Sequence, residues 1–202
     1  MILIPEIVKK SEMAGKIFET VVIKELNGEF FWRDVYKNEV DLIKVEKEKM
    51  FETADELEHI LLTAIPTSDV CIHTAAVSDF TVSKLRGKLS SNEKHTIVLT
   101  PREKILDQIK KVNPKIFLVA FKAEVGSSDK NLIKEAQKRQ KESHADMIVA
   151  NHVGRPDQGF ESDDNEVFII DNRVTHVPLS NKRVIAEKII DEVSKSIRSG
   201  KH

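Results

Sequence analysis

A single cysteine, Cys71, stands among 202 residues, with one tryptophan, one tyrosine, six prolines and seven glycines. A lone thiol excludes an intramolecular disulfide framework. Its place in the apolar run DVCIHTAAV reads as a small buried hydrophobe in a reducing compartment. With so few helix breakers there is no repeat, low-complexity tract or Pro/Gly-rich linker to divide the chain, so a single domain spanning residues 1–202 is expected. Long hydrophobic stretches are also missing: no apolar run approaches the roughly 18 residues of a membrane span. The N-terminal MILIPEIVKK lacks the long apolar core of a signal peptide. A soluble, cytoplasmic protein is the expectation. An excess of either charge is absent as well. Charged residues make up 32% of the chain but leave a net −1, so neither nucleic acid nor an anionic membrane is expected as a partner, and any anion site must be local.

Several catalytic signatures are missing. There is no GxxxxGKS/T loop, no GxGxxG, no HExxH or CxxC spacing and no GxSxG elbow, and the seven histidines show no ligand periodicity. What is present is alternation. MILIPEIV reads as a strand, MAGKIFETVVIKEL (13–26) as a helix, and EFFWRDVY and DLIKV as two strands. ADELEHILLTAI is a helix with Leu57, Ile60, Leu61 and Ile65 on one face, and DVCIHTAAV a strand buried on both faces. HTIVLT (95–100) reads as a short strand. PREKILDQIKKVN opens a helix with Pro101 in its first turn. KIFLVAFKAE, SDKNLIKEAQKRQKESH and ADMIVANHV then read as strand, helix and strand, with Leu132, Ile133 and Ala136 inward. EVFIID and VTHVPL form a hairpin around Asp171–Asn172–Arg173, and a last amphipathic helix starts at N-cap Ser180. This order predicts an α/β fold: a Rossmann-like, doubly wound, mostly parallel sheet with helices on both faces and a C-terminal hairpin.

In such sheets ligands bind beyond the carboxyl ends of the strands, which here means AAVSDF, AFKAE and VANHV. Ala75 and Ala76 would let a flat base or sugar approach the backbone. Asp79 offers a carboxylate to ribose hydroxyls or to a magnesium-bound phosphate. Lys84, Arg86 and Lys88 then gather around Gly87, which permits an unusual backbone turn, and Lys88 suits phosphate as a compact charge with three donors. Phe121, just past an apolar strand, can stack on a base or belong to the core. Lys122 and Glu124 read as an exposed pair, and Lys138, Arg139 and Lys141 as a solvated face from which one side chain could reach the site.

AAVSDF, GKLSS, FLVAFKAE, ADMIVAN and QGFESDDNEVFII, in that order from Asp69 to the C-terminal helix, resemble the phosphopantothenate–cysteine ligases of coenzyme A biosynthesis. The resemblance implies a reaction in which the carboxylate of 4′-phosphopantothenate attacks CTP (or ATP), with Mg2+ present. An acyl-cytidylate and pyrophosphate form, and the amine of cysteine then displaces the nucleotide. It implies that Lys88 is the main catalytic residue, on the phosphates. Ala75 and Ala76 would line the nucleotide pocket, with Phe121 beside the base and Asp79 on the ribose or the metal. Arg139 matches a family lysine in the helix before the D-x-IVAN strand, and Lys104 is a further phosphate contact. It also implies a homodimer. The family's usual fusion partner is a flavin-dependent decarboxylase, for which this chain has no room, so no flavin is expected in it.

The chain departs from the pattern in two places. The family's GGT loop and Asn-x-Ser-Ser-Gly segment, which bind phosphopantothenate, are matched only by Ser11 and Gly15, and the nearest asparagines are Asn27 and Asn38. His152 replaces the acid of Val-Ala-Asn-Asp. A non-catalytic, nucleotide-binding or regulatory relative is therefore the alternative expectation.

Overall fold

The computed structural model describes residues 6–10, 19–23, 48–82, 87, 90–92, 94–154 and 162–199. Within them the elements follow as β1 (Glu6–Lys10), β2 (Glu19–Ile23), β3 (Glu48–Phe51), α1 (Ala54–Ala64), β4 (Val70–His73), β5 (Phe80–Thr81), β6 (Thr100–Pro101), α2 (Ile105–Val112), β7 (Phe117–Val125), α3 (Asp129–Ser143), β8 (Met147–Val153), β9 (Asp164–Ile170), β10 (Val174–Asn181) and α4 (Lys182–Arg198). The main sheet runs β10-β9-β8-β7-β4-β2-β1-β3. Its centre, β4–β7–β8, is parallel. Following the pairings outward, β1, β3 and β10 share that direction, while β2 and β9 oppose it. The expected α/β architecture with a mostly parallel sheet holds. The C-terminal hairpin is β9–β10, closed by the Arg173 N–H donating to the Asp171 side chain at 2.9 Å.

The central strands are apolar on both faces because helices cover both. Cys71, Leu118, Ala120, Ile148 and Ala150 pack under Leu57 and Leu61 of α1, Ile105 and Ile109 of α2, and Leu132 and Ala136 of α3. The alternate residues Val70, Ile72, Phe117, Val119, Met147 and Val149 pack under Ile185, Ile189, Ile190 and Val193 of α4. That alternation is the period of two of a strand used twice. The helix ends are specified locally. Thr53 caps α1 in a capping box with Glu56, and Ser128 caps α3 by accepting from the Asn131 N–H.

Four local expectations change. Residues 13–26 were expected to be helical, but Glu19–Ile23 is strand β2. The apolar spacing fitted a helix, while the Thr20–Val21–Val22–Ile23 run is β-branched and finds partners in β1 and β4. HTIVLT is not a strand until Thr100. Residues 94–99 carry no ladder, and Ile97 and Val98 are 70% and 71% exposed. Pro101 belongs to β6, paired with Phe80, and α2 starts at Ile105 after Lys104 (φ −72, ψ 128); a proline φ suits both settings. The N-cap of α4 is Asn181, which accepts from the Arg183 N–H, whereas the Ser180 hydroxyl donates to the Pro178 carbonyl. EFFWRDVY, DLIKV, Ser11, Gly15, Asn27 and Asn38 lie outside the described residues.

Candidate active site

The carboxyl ends of β4, β7 and β8 open onto a cleft of about 280 Å³. Ala75, Ala76, Asp79, Lys104, Phe121 and Arg139, singled out from sequence on separate segments, all line it. β4 ends at His73 and the chain then runs irregularly to Ser78, so the two alanines present backbone and methyl groups only. Lys88, Lys84 and Arg86 lie outside the described residues. Between them Gly87 holds φ +95, a backbone conformation that a side chain would strain.

Cations reach the cleft from three directions, each already steered by a carboxylate. Lys104 Nζ lies 3.3 Å from Asp79 Oδ1, both side chains largely exposed. Arg139, whose side chain is 14% exposed, forms a fork on Asp107 at 2.6 and 3.3 Å. Arg102 bridges Asp55, at 2.7 Å, and Glu58 of α1, and Glu58 also accepts from Gln108 at 2.6 Å. Burial works against the Arg102 charge, but the hydrogen bonds it donates to Glu58 and Asp55 outweigh it and hold its pKa above the ordinary value. The Arg102 N–H also donates to the Asp79 carbonyl at 2.9 Å. Arg102 therefore ties the Asp79 turn and the Lys104 loop to α1.

Beneath Arg139 lies His73, buried at the end of β4. Burial first, and the Arg139 charge second, push its pKa down to about 4, so it is neutral near pH 7. Cys71, two residues earlier, has its pKa pushed up to about 12 by burial. That thiol stays protonated and supplies no nucleophile. Lys122 pairs with Glu124 at 2.8 Å as expected, though both are only about a third exposed. His152 is fully buried, with Nε2 2.8 Å from Oδ1 of Asp129 in the first turn of α3. The acid missing from position 152 is thus replaced by a buried histidine that recruits one.

Sequence reasoning missed four residues here: His73, Arg102, Asp107 and Asn151. Asn151 sits inside a motif already quoted, and its signal was a polar amide near the buried end of an apolar strand. Among the described residues no group of three or more His, Cys, Asp or Glu forms a metal cage, and no helix is long and apolar enough to cross a membrane.

The family model for the DNA/pantothenate metabolism flavoprotein C-terminal domain matches residues 36–197. The chain is 34% identical, over 157 residues, to the coenzyme A biosynthesis bifunctional protein CoaBC of Thermococcus kodakarensis. That match covers 76% of this chain and 38% of the relative. Among solved structures, the DNA/pantothenate metabolism flavoprotein of Streptococcus pneumoniae superposes with a TM-score of 0.64 at 23% identity, covering 74% of this chain and 72% of that one. A Cab2 mutant in complex with phosphopantothenate-cysteine gives 0.59 at 17% identity, covering 84% and 58%.

Proposed function

Because the chain belongs to the DNA/pantothenate metabolism flavoprotein C-terminal domain family, we propose that it is a ligase joining cysteine to 4′-phosphopantothenate at the expense of CTP. The observation that carries this reading is the convergence of Ala75, Ala76, Asp79, Lys104, Phe121 and Arg139 on one cleft at the strand ends. A carboxylate is a poor acyl donor until one of its oxygens becomes part of a leaving group. Its oxygen attacks the α-phosphorus, the bond to pyrophosphate breaks, and an acyl-cytidylate forms. The cysteine amine then attacks the carbonyl carbon, the C–O bond to the nucleotide breaks, CMP leaves, and the ammonium proton passes to solvent.

The residues divide this work. Ala75 and Ala76 admit the nucleoside. Phe121 packs beside the base. Lys88, Lys104 and Arg139 meet the phosphates, where charge builds as pyrophosphate departs. Asp79 takes the ribose or the metal. A hard cation such as Mg2+ is held by one or two carboxylates together with substrate phosphates, and the carboxylate of Asp79, with Glu103 also lining the cleft, fits that demand. The ion would supply charge neutralisation on the triphosphate.

The expected homodimer is supported by the arm around β5–β6, where Phe80, Val82, Ile97, Val98 and Leu99 are exposed. A two-stranded ribbon with an apolar surface is marginal until another surface covers it.

Pyrophosphate release tests the reaction. With CTP and Mg2+ it is expected only when 4′-phosphopantothenate is added, and phosphopantothenoylcysteine only when cysteine follows. The buried His152, standing where an acid was expected, favours the second reading of a nucleotide-binding relative without turnover. Nucleotide binding with no pyrophosphate under any substrate combination would select that reading.

A further inference from the structure

The cleft has two chemically different sides. Arg139 and Lys104 approach from the α1–α3 side. Phe121, Ala123 and Asn151 share the opposite face of the sheet, following the alternation set by Phe117, Val119, Met147 and Val149. Ala123 stands in register with Asn151 on the neighbouring parallel strand. Its methyl group leaves an open, uncharged floor between the Phe121 ring and the Asn151 amide.

Asn151 is only 9% exposed, and its Nδ2 donates to the His152 carbonyl at 3.2 Å. That bond fixes which way the amide faces. Oδ1 accepts no hydrogen bond from a described residue, and one Nδ2 hydrogen remains. The open positions of this carboxamide, one acceptor and one donor in the cleft wall, are available to a ligand.

Resting on the nucleotide reading above, we propose that Asn151 is the specificity-determining residue that reads the exocyclic amino group of the base. The base lies over Ala123 against Phe121. Its amino group donates to Oδ1, and the adjacent ring nitrogen accepts from Nδ2, the same donor–acceptor match that lets asparagine read adenine. A base with a keto oxygen at that position turns lone pairs toward lone pairs. CTP and ATP are accepted and UTP is rejected.

The test is calorimetric titration of CTP, UTP and the triphosphate of 2-pyrimidinone riboside, which lacks the amino group, into the full chain and into Asn151→Ala and Asn151→Val. The valine variant keeps a strand-favouring side chain of similar size. Wild type is expected to bind CTP roughly tenfold tighter than either analogue. Both variants are expected to bring CTP down to the level of UTP while UTP affinity stays within about threefold, the scatter of a lost neutral contact. Equal CTP and UTP binding by wild type overturns the inference without any variant. An unchanged ratio in the variants overturns it while leaving the nucleotide reading intact. Failure of every nucleotide to bind overturns both.

Discussion

Lys138 and Arg139 are neighbours in α3, yet only Arg139 reaches the cleft. The helix phase decides this: Leu132 and Ala136 are buried, and position 139 continues their stripe, whereas Lys138 points to solvent with a side chain 67% exposed. The sequence named the basic run. The buried stripe already contained the choice within it, because Leu132 and Ala136 were expected to face inward. Asp107 was not legible in the same way, since its fork on Arg139 depends on how α2 and α3 meet. Arg139→Gln and Lys88→Ala are each expected to weaken CTP binding by about 2 kcal/mol, roughly thirtyfold, the scale of a charge-assisted contact. Parallel titrations of the two variants check this, and an unchanged affinity in either removes that residue from the phosphate site.

At the level of elements, burial on both faces made strands legible, whereas strand pairing and exposure lay beyond a short window of sequence. β4, β7 and β8 were legible because strands covered on both faces must be apolar throughout. β2 was misread because Ile17, Val21, Val22 and Leu26 satisfy helical spacing, while the β-branched residues answer to strand neighbours that no short window contains. HTIVLT failed for the opposite reason. Its apolar residues resemble a covered strand, yet Ile97, Val98 and Leu99 stay exposed, with only Thr100 and Pro101 paired. If the arm is the dimer contact, Ile97→Asp combined with Val98→Asp places two charges in that contact. Light scattering is then expected to report a monomer where the unaltered chain gives a dimer, while circular dichroism stays unchanged. A dimer that survives both charges would place the contact elsewhere.

For the molecule as a whole, His73 links the cleft to stability. Its folded pKa of about 4 lies below the ordinary value of 6.5, so between these the unfolded chain binds a proton that the folded chain refuses. Stability rises with pH across that window. The contribution is complete above about pH 6.5 and lost as pH falls toward 4, by about 3 kcal/mol in all. Denaturant unfolding at stepped pH is expected to show this slope, and His73→Gln is expected to flatten it. A slope unchanged in the variant would assign the acid sensitivity to other groups.

β7 runs nine residues, with Phe117 to Ala120 buried and Phe121 to Glu124 half-buried. The changeover falls at one peptide, between Ala120 and Phe121. One half of the strand anchors the fold and the other half lines the cleft. Phe121 still leans on the core, whereas substitutions at Lys122 and Ala123 change the cleft lining without reaching it. A scaffold divided in this way can drift toward new ligands over generations without first passing through an unstable ancestor.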